Sequence, residues 1–278
     1  MTYITRFAPS PTGPLHLGHA YSAILAHDMA RAAQGRFLLR IEDIDQTRAR
    51  PEWEAQILDD LSWLGLTWDD TPLRQSDRLP RYAEALDRLW EAGLLYPCSC
   101  RRRDIAAAAS APQEGAPLHG PDGIIYPGTC RDTPRSGSRP ADEALRLDMR
   151  KAAQTLVTYH ELSDDTHPTL SPDAMVATIG DIVLSRRDFL GSYHLSVVLD
   201  DADQEITHVI RGADLAEATP IHVLLQRLLG LPTPRYHHHR LIRDEAGKRL
   251  AKRDDARAIA TYRAAGDTPA DIRRRVGL

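Results

Sequence analysis

Apolar positions along this chain fall into short continuous runs that alternate with stretches of helical spacing. Residues 3–7 form an apolar run that predicts a strand, and a loop of Pro, Ser, Thr and Gly follows it. Ala20, Ile24 and the segment 26–30 then repeat at helical spacing, and 36–41 reads as a second strand. Helical periodicity returns over 52–64, where Trp53, Ile57, Leu61 and Leu64 share a face. It returns again over 79–92, where Tyr82, Leu86, Leu89 and Trp90 do. These aromatics read as core, and Gly65 and Gly93 stand where C-terminal helix caps are expected. From about 95 to 142 the periodicity fades into Pro, Gly, Ser and Ala. Beyond it, 182–188 predicts a strand ending in a charged turn, and 193–201 predicts a strand returning to the main sheet. A helix is predicted over 221–229, a strand from 236 to 242, and two short helices over 257–265 and 270–276.

The alternation of strand and helix makes this an α/β chain, and 278 residues suffice for a nucleotide-binding domain with an insertion. No run of eighteen apolar residues occurs, so no transmembrane helix and no membrane partner are expected. The first strand begins almost at the N-terminus, which leaves no room for a signal peptide. Three cysteines are too few for a disulfide framework, so a cytoplasmic location is expected. Net charge is −4, but residues 235–278 carry twelve Lys/Arg against six Asp/Glu, a local balance of +6. With Arg101, Arg102 and Arg103, and with Arg131, Arg135 and Arg139, this distribution suits a polyanion.

Chemistry concentrates in 6–19, Arg-Phe-Ala-Pro-Ser-Pro-Thr-Gly-Pro-Leu-His-Leu-Gly-His. A strand, a tight loop and a helix N-terminus make an anion site, because the first backbone N–H groups of a helix lack internal partners. His16 and His19 share that first turn, and Gly18 leaves room for a flat group against the backbone. The physical reading is a nucleotide phosphate site. Carboxylates crowd the end of the second strand in Arg40-Ile41-Glu42-Asp43-Ile44-Asp45, where one of them can hold an ammonium group. Cys98, Cys100 and Cys130 cluster in the low-periodicity segment and suit a closed structural zinc site, which needs a fourth donor. Three consecutive histidines, His237, His238 and His239, point alternately to opposite faces of a strand and do not converge on one ion.

The His-Leu-Gly-His string resembles the HIGH signature of class I aminoacyl-tRNA synthetases, and the residues before it resemble the glutamyl/glutaminyl branch. Arg40–Asp45 resembles that branch's R-I-E-D-T-D motif, with Ile44 in place of Thr. The strings 193–201 and 206–214 resemble the glutamyl enzymes too. Gly247-Lys248-Arg249-Leu250-Ala251-Lys252-Arg253 resembles the KMSKS loop, with Arg249 for the first Lys and Ala251 for Ser. Only three lysines occur in the chain, and Lys248 and Lys252 both lie in this loop. Lysine kept where arginine is otherwise the rule marks a movable point charge.

The resemblance implies a Rossmann-type class I synthetase catalytic domain with an inserted, zinc-containing, acceptor-like subdomain and a short helical C-terminal segment. It implies a first Rossmann half at 1–95, the insertion at 96–190, a second half at 191–243, and the KMSKS-like loop with a helical stem-contact segment at 244–278. His16, His19 and Lys252 would be catalytic, and with Gly18 they would bind ATP as its Mg²⁺ complex. Arg6, Ala8, Ser10, Glu42, Tyr193 and Arg211 would surround L-glutamate, with Glu42 on its ammonium. Two arginines suit two carboxylates because a guanidinium fork binds both oxygens. The cysteine segment resembles the zinc site of the small glutamyl-Q tRNA(Asp) synthetases, where spacing makes Tyr126 the fourth ligand to structural Zn²⁺. His119 is the chemically more ordinary candidate.

Full-length glutamyl-tRNA synthetases have an Asn four residues after the tyrosine. Val197 stands there in this chain, and the lost amide predicts a high KM for glutamate. About 25 residues follow the loop, too few for a helical anticodon-binding domain, so the chain reads as a complete small monomeric enzyme. The resemblance to the small glutamyl-Q enzymes implies activation of glutamate with ATP, then transfer to the queuosine base of tRNA(Asp). The alternatives are a truncated enzyme charging tRNA(Glu) and a non-catalytic glutamate- or RNA-binding paralogue.

Overall fold

The N-terminal apolar run forms β1 (Ile4–Phe7), buried at all four positions, and it leads into α1 (Leu17–Ala32) and β2 (Arg36–Ile41). The computed structural model describes residues 2–109, 119–135, 137–243 and 257–278. Next come α2 (Pro51–Trp63), the two-residue β3 (Leu73–Arg74) and α3 (Leu79–Glu91). Three further strands, β4 (Leu95–Cys98), β5 (Ala144–Leu147) and β6 (Val183–Ser185), form a separate antiparallel sheet in the order β6-β5-β4. The chain then returns through α4 (Tyr193–Asp203), β7 (His208–Gly212), α5 (Thr219–Leu229) and β8 (Arg235–His239). It ends in α6 (Ile259–Ala264) and α7 (Pro269–Val276).

The main sheet is parallel. β1 pairs with β2 from Ile4 opposite Arg36, β2 pairs with β3, and β7 pairs with β8 from His208 opposite Arg235. The halves meet where the Thr207 N–H donates to the Ile4 carbonyl at 3.0 Å and the Ile4 N–H donates to Thr207 Oγ1 at 2.8 Å. The two parallel ladders, β3-β2-β1 and β7-β8, lie side by side with β1 next to β7, and the direction of winding reverses between those two strands. Ligands of open α/β sheets bind at the carboxyl ends of the strands at such a switch point.

Helices cover both faces, so strand residues alternate between two cores. On β2, Leu38 joins the cluster of α3, α4 and α5, while Phe37, Leu39 and Ile41 join that of α1, α2 and the C-terminal helices. Ile259, Ile272 and Val276 pack into the second cluster, and Arg273 pairs with Asp28 of α1 at 2.5 Å. Gly65 and Gly93 take φ of +78° and +76° just past α2 and α3, a left-handed turn that glycine adopts without Cβ strain. Tyr82 and Trp90 are core, whereas Trp53 stays half-buried and outside both clusters.

One element differs in kind from its expectation. Residues 193–203 form helix α4, not a strand. Ser192 caps it, its Oγ accepting the Leu195 N–H at 3.4 Å, and every residue from His194 to Asp201 is buried. A helix enclosed on all sides shows no polar face, and Val197-Val198 then mimic a strand. Val197 itself is 2 % exposed and packs in the core.

Candidate active site

The loop after β1 delivers His16 to the N-cap of α1. His16 Nδ1 accepts the Gly18 N–H at 3.1 Å, His19 Nδ1 accepts the His16 N–H at 3.2 Å, and the rings lie 3.7 Å apart. Because backbone N–H groups only donate, both neutral rings carry their hydrogen on Nε2. Gly18 serves this arrangement directly: a Cβ there would meet the His16 ring at 3.0 Å.

A cavity of about 560 Å³ opens at this helix end. Arg6, Ala8, His16, Gly18, His19, Glu42, Tyr193 and Arg211 all line it, from six different elements and loops. Ser10 does not line it, nor does Val197. Lys248, Arg249, Ala251 and Lys252 lie outside the described residues. The described chain leaves β8 along the cavity wall at Leu241 and Ile242. It is next described where Ala258 bridges to His16 and the Ile259 N–H donates to the Leu15 carbonyl at 2.8 Å.

The two cavity arginines differ in their partners. Arg6 sets its fork across Asp201, Nε to Oδ1 at 3.0 Å and Nη2 to Oδ2 at 3.4 Å. Arg40, fully buried behind the wall, reaches the same Oδ1 at 2.6 Å and Glu42 Oε1 at 3.3 Å. Burial alone would raise the Asp201 carboxyl, yet Arg6 and Arg40 outweigh it and hold the group below its ordinary range. Burial does push the Glu42 carboxyl up, against the pull of Arg40 and Arg6. Arg211, 5 % exposed at the end of β7, pairs with no carboxylate among the described residues and bonds only to neutral acceptors.

One wall residue is not singled out as a site residue by the sequence, and two charges behind the wall pair across the chain. His239 from β8 is buried; its Nδ1 lies 2.9 Å from the Arg240 carbonyl, so Nε2 is a lone-pair acceptor, and it has no partner among the described residues. Asp201 and Arg40 are buried charges whose partners lie 195 and 161 residues away, which no local pattern announces. The three histidines do alternate: His238 turns to Glu161 at 2.5 Å, His239 to the edge of Tyr21.

Outside the cavity, the Sγ atoms of Cys98, Cys100 and Cys130 all lie within 4.8 Å of one another. The Tyr126 hydroxyl stands 3.5 Å from Cys98 Sγ and 3.4 Å from Cys100 Sγ. Arg146 stacks 3.8 Å from the Tyr126 ring and donates to Cys98 Sγ at 3.3 Å. His119 sits on an exposed hairpin strand and is not part of the cluster. The expected polyanion surface shrinks, because three of its arginines have internal partners. Arg131 binds Asp181, Arg135 stacks on Trp90, and Arg139 binds Asp87. Arg101 and Arg103 remain exposed.

Comparison with known proteins agrees with this geometry. The family model described as tRNA synthetases class I (E and Q), catalytic domain, matches residues 3–278. A glutamyl-Q tRNA(Asp) synthetase of Rhodobacter capsulatus is 67% identical over 99% of this chain and 100% of its own length. One from Nocardia farcinica is 44% identical over 96% of this chain and 81% of its own. Among solved structures, a glutamate-tRNA synthetase from Elizabethkingia anophelis superposes with a TM-score of 0.74 at 28% identity. That match covers 91% of this chain and 53% of the solved one, so the chain spans about half of that enzyme's length. A methionyl-tRNA synthetase from Mycobacterium tuberculosis, at 13% identity and a TM-score of 0.59, shares the fold. The chain belongs to the class I tRNA synthetases of the E and Q group.

Proposed function

We propose that this chain activates glutamate with ATP and transfers the glutamyl group to the queuosine base in the anticodon loop of tRNA(Asp). The observation that carries the reading is one cavity joining a histidine-capped helix N-terminus to a buried arginine that has no carboxylate partner among the described residues. The 67% identity to a relative named for this activity, over that relative's full length, supports the acceptor.

In the first step an α-carboxylate oxygen of glutamate attacks the α-phosphorus of ATP. The bond from that phosphorus to the bridging oxygen breaks, and pyrophosphate leaves. The Nε2–H groups of His16 and His19 and the first amides of α1 oppose the charge that develops on the phosphates. Glu42 offers a carboxylate to the ammonium of glutamate, and Arg211 takes the side-chain carboxylate. Lys252, in the segment between Arg243 and Arg257, supplies positive charge to the leaving pyrophosphate, and ATP enters as its Mg²⁺ complex. A hydroxyl of the queuosine cyclopentene ring then attacks the glutamyl carbonyl, its proton passes to solvent, and AMP leaves. Positioning and charge stabilisation account for the catalysis.

Labelled glutamate offered to tRNA with and without queuosine tests the acceptor. Label on queuosine-containing tRNA(Asp) is expected; label on the terminal ribose of tRNA(Glu) would identify a charging enzyme, and no adenylate at all a binding paralogue. Lys252→Ala is expected to remove most glutamate-dependent ATP–pyrophosphate exchange, and near-normal exchange would take the lysine out of the mechanism.

The cysteine cluster suits structural zinc. Three thiolates and a phenolate make a closed four-donor set, and Arg146 donates to one sulfur from outside, as groups around metal ligands do. Cys100→Ser is expected to lower bound zinc well below one per chain by elemental analysis. It should also reduce Tm by about 5 °C or more, since 1 kcal/mol shifts Tm by about 2–4 °C in a domain near this size. Unchanged zinc content would remove the cluster as its site. Cysteines kept out of disulfides for a metal also suit a reducing, cytoplasmic setting. Among the described residues no helix is long and apolar enough to cross a membrane.

A further inference from the structure

Arg211 spends nearly all its donors on the protein. Its Nε meets His238 Nε2 at 3.2 Å and its Nη1 meets His222 Nδ1 at 3.0 Å. Its Nη2 meets the Leu215 carbonyl at 3.2 Å and Thr219 Oγ1 at 2.7 Å. Of five N–H groups, one on Nη1 remains for a ligand in the cavity.

A guanidinium only donates, and that fixes the rings around it. His222 Nδ1 must present its lone pair to Arg211, so the hydrogen of neutral His222 is on Nε2. That nitrogen lies 3.1 Å from His194 Nδ1, which must therefore accept. His194 in turn carries its hydrogen on Nε2 and donates to Asp122 Oδ1 at 3.3 Å, on the exposed hairpin. Protonating His222 would set an N–H against Arg211. Burial and the adjacent guanidinium hold its pKa well below the ordinary histidine range. His238 follows the same logic: Nδ1 faces Glu161, so Nε2 accepts from Arg211.

We infer that His222, oriented by His194, is a positioning residue that holds Arg211 by a neutral acceptor. The guanidinium charge is thus left for the ligand, and the pocket selects a carboxylate side chain over an amide. The same cavity shows the contrast. Arg6, with Asp201 across its fork, is already neutralised, whereas Arg211 meets imidazole where a carboxylate would cancel it. A buried cation without a counter-ion is costly, and a substrate carboxylate relieves that cost while glutamine does not. The inference rests on glutamate being the substrate.

The test compares His222→Glu with His222→Gln in glutamate-dependent ATP–pyrophosphate exchange, with melting curves to confirm folding. His222→Glu neutralises Arg211. It is expected to raise KM for glutamate by about 30-fold or more, leave KM for ATP within about twofold, and narrow the preference for glutamate over glutamine. His222→Gln is expected to recover most of that loss. Its amide oxygen accepts from Arg211 and its amide nitrogen donates to His194. An active wild-type enzyme whose KM for glutamate is unmoved in His222→Glu, or equal damage in both variants, overturns the inference. Absence of exchange in the wild type would overturn the substrate instead. The ring states are read separately by ¹⁵N–¹H correlation spectra, where His222 is expected neutral with its hydrogen on Nε2 at pH 7. A charged ring or an Nδ1–H tautomer there overturns the inference whatever the substrate.

Discussion

Exchanging Asp201 for asparagine is expected to lower the free energy of unfolding by about 3–5 kcal/mol, the usual cost of removing one partner from a buried ion pair. Asp201 is 5 % exposed and is gripped by Arg6 and by Arg40, which is fully buried. Without it, Arg40 keeps Gln204 and a 3.3 Å contact to Glu42, while Arg6 keeps one 3.4 Å bond to the Ile210 carbonyl. Neither arginine loses its proton, so the charge stays and its compensation goes. Urea unfolding at pH 7 measures the loss, and a change under about 1 kcal/mol would show that Glu42 carries the network alone.

The same variant predicts a pH dependence. The folded Asp201 carboxyl titrates below its unfolded range, because the two arginines outweigh its burial. Its ionised form therefore stabilises the fold above the unfolded carboxylate pKa, and that contribution fades as pH falls from about 4 through the lower folded value. Asp200 and Glu42, raised by burial, act with the opposite sign. The difference between wild type and variant removes most of that background. It is expected to be constant from pH 7 to 5 and to shrink below about pH 4.

The sequence made some of this site legible and concealed the rest for physical reasons. The stretch 6–19 is readable because strand, loop and helix cap are contiguous, and their chemistry repeats as a string. β2 is readable because burial on both faces leaves the continuous apolar stretch Phe37-Leu38-Leu39, with Ile41 just beyond Arg40. Helix α4 was concealed by the same burial, which erased the period that separates helix from strand. Arg131, Arg135 and Arg139 look like a basic surface in composition, but their partners at Asp181, Trp90 and Asp87 are 50, 45 and 52 residues away. The histidines that matter to Arg211 come from three separate elements, α4, α5 and β8, and only folding brings them to one guanidinium.

Arg211→Gln is the complementary experiment, with its largest effect on substrate and not on fold. Glutamine spans much of the same space and can still donate to His222 or accept from Thr219, but it brings no charge to the cavity. A charge-assisted hydrogen bond to a desolvated carboxylate is worth more than a neutral one, and losing such a buried partner costs about 2–5 kcal/mol. At about 1.4 kcal/mol per tenfold, kcat/KM for glutamate should fall by roughly 30-fold to a few thousandfold. The loss is expected mainly in KM for glutamate, with KM for ATP preserved, because His16, His19 and the start of α1 stand apart from the guanidinium's own contacts. Ligand-induced stabilisation gives an independent readout: glutamate at one hundred times its Kd should raise wild-type stability by about 2.7 kcal/mol and leave the variant unmoved at that concentration. A variant that still melts higher with glutamate would show that another group holds the side-chain carboxylate. Arg6 could take that role only by releasing Asp201, so the double variant Arg211→Gln, Asp201→Asn would then restore more glutamate affinity than Arg211→Gln alone.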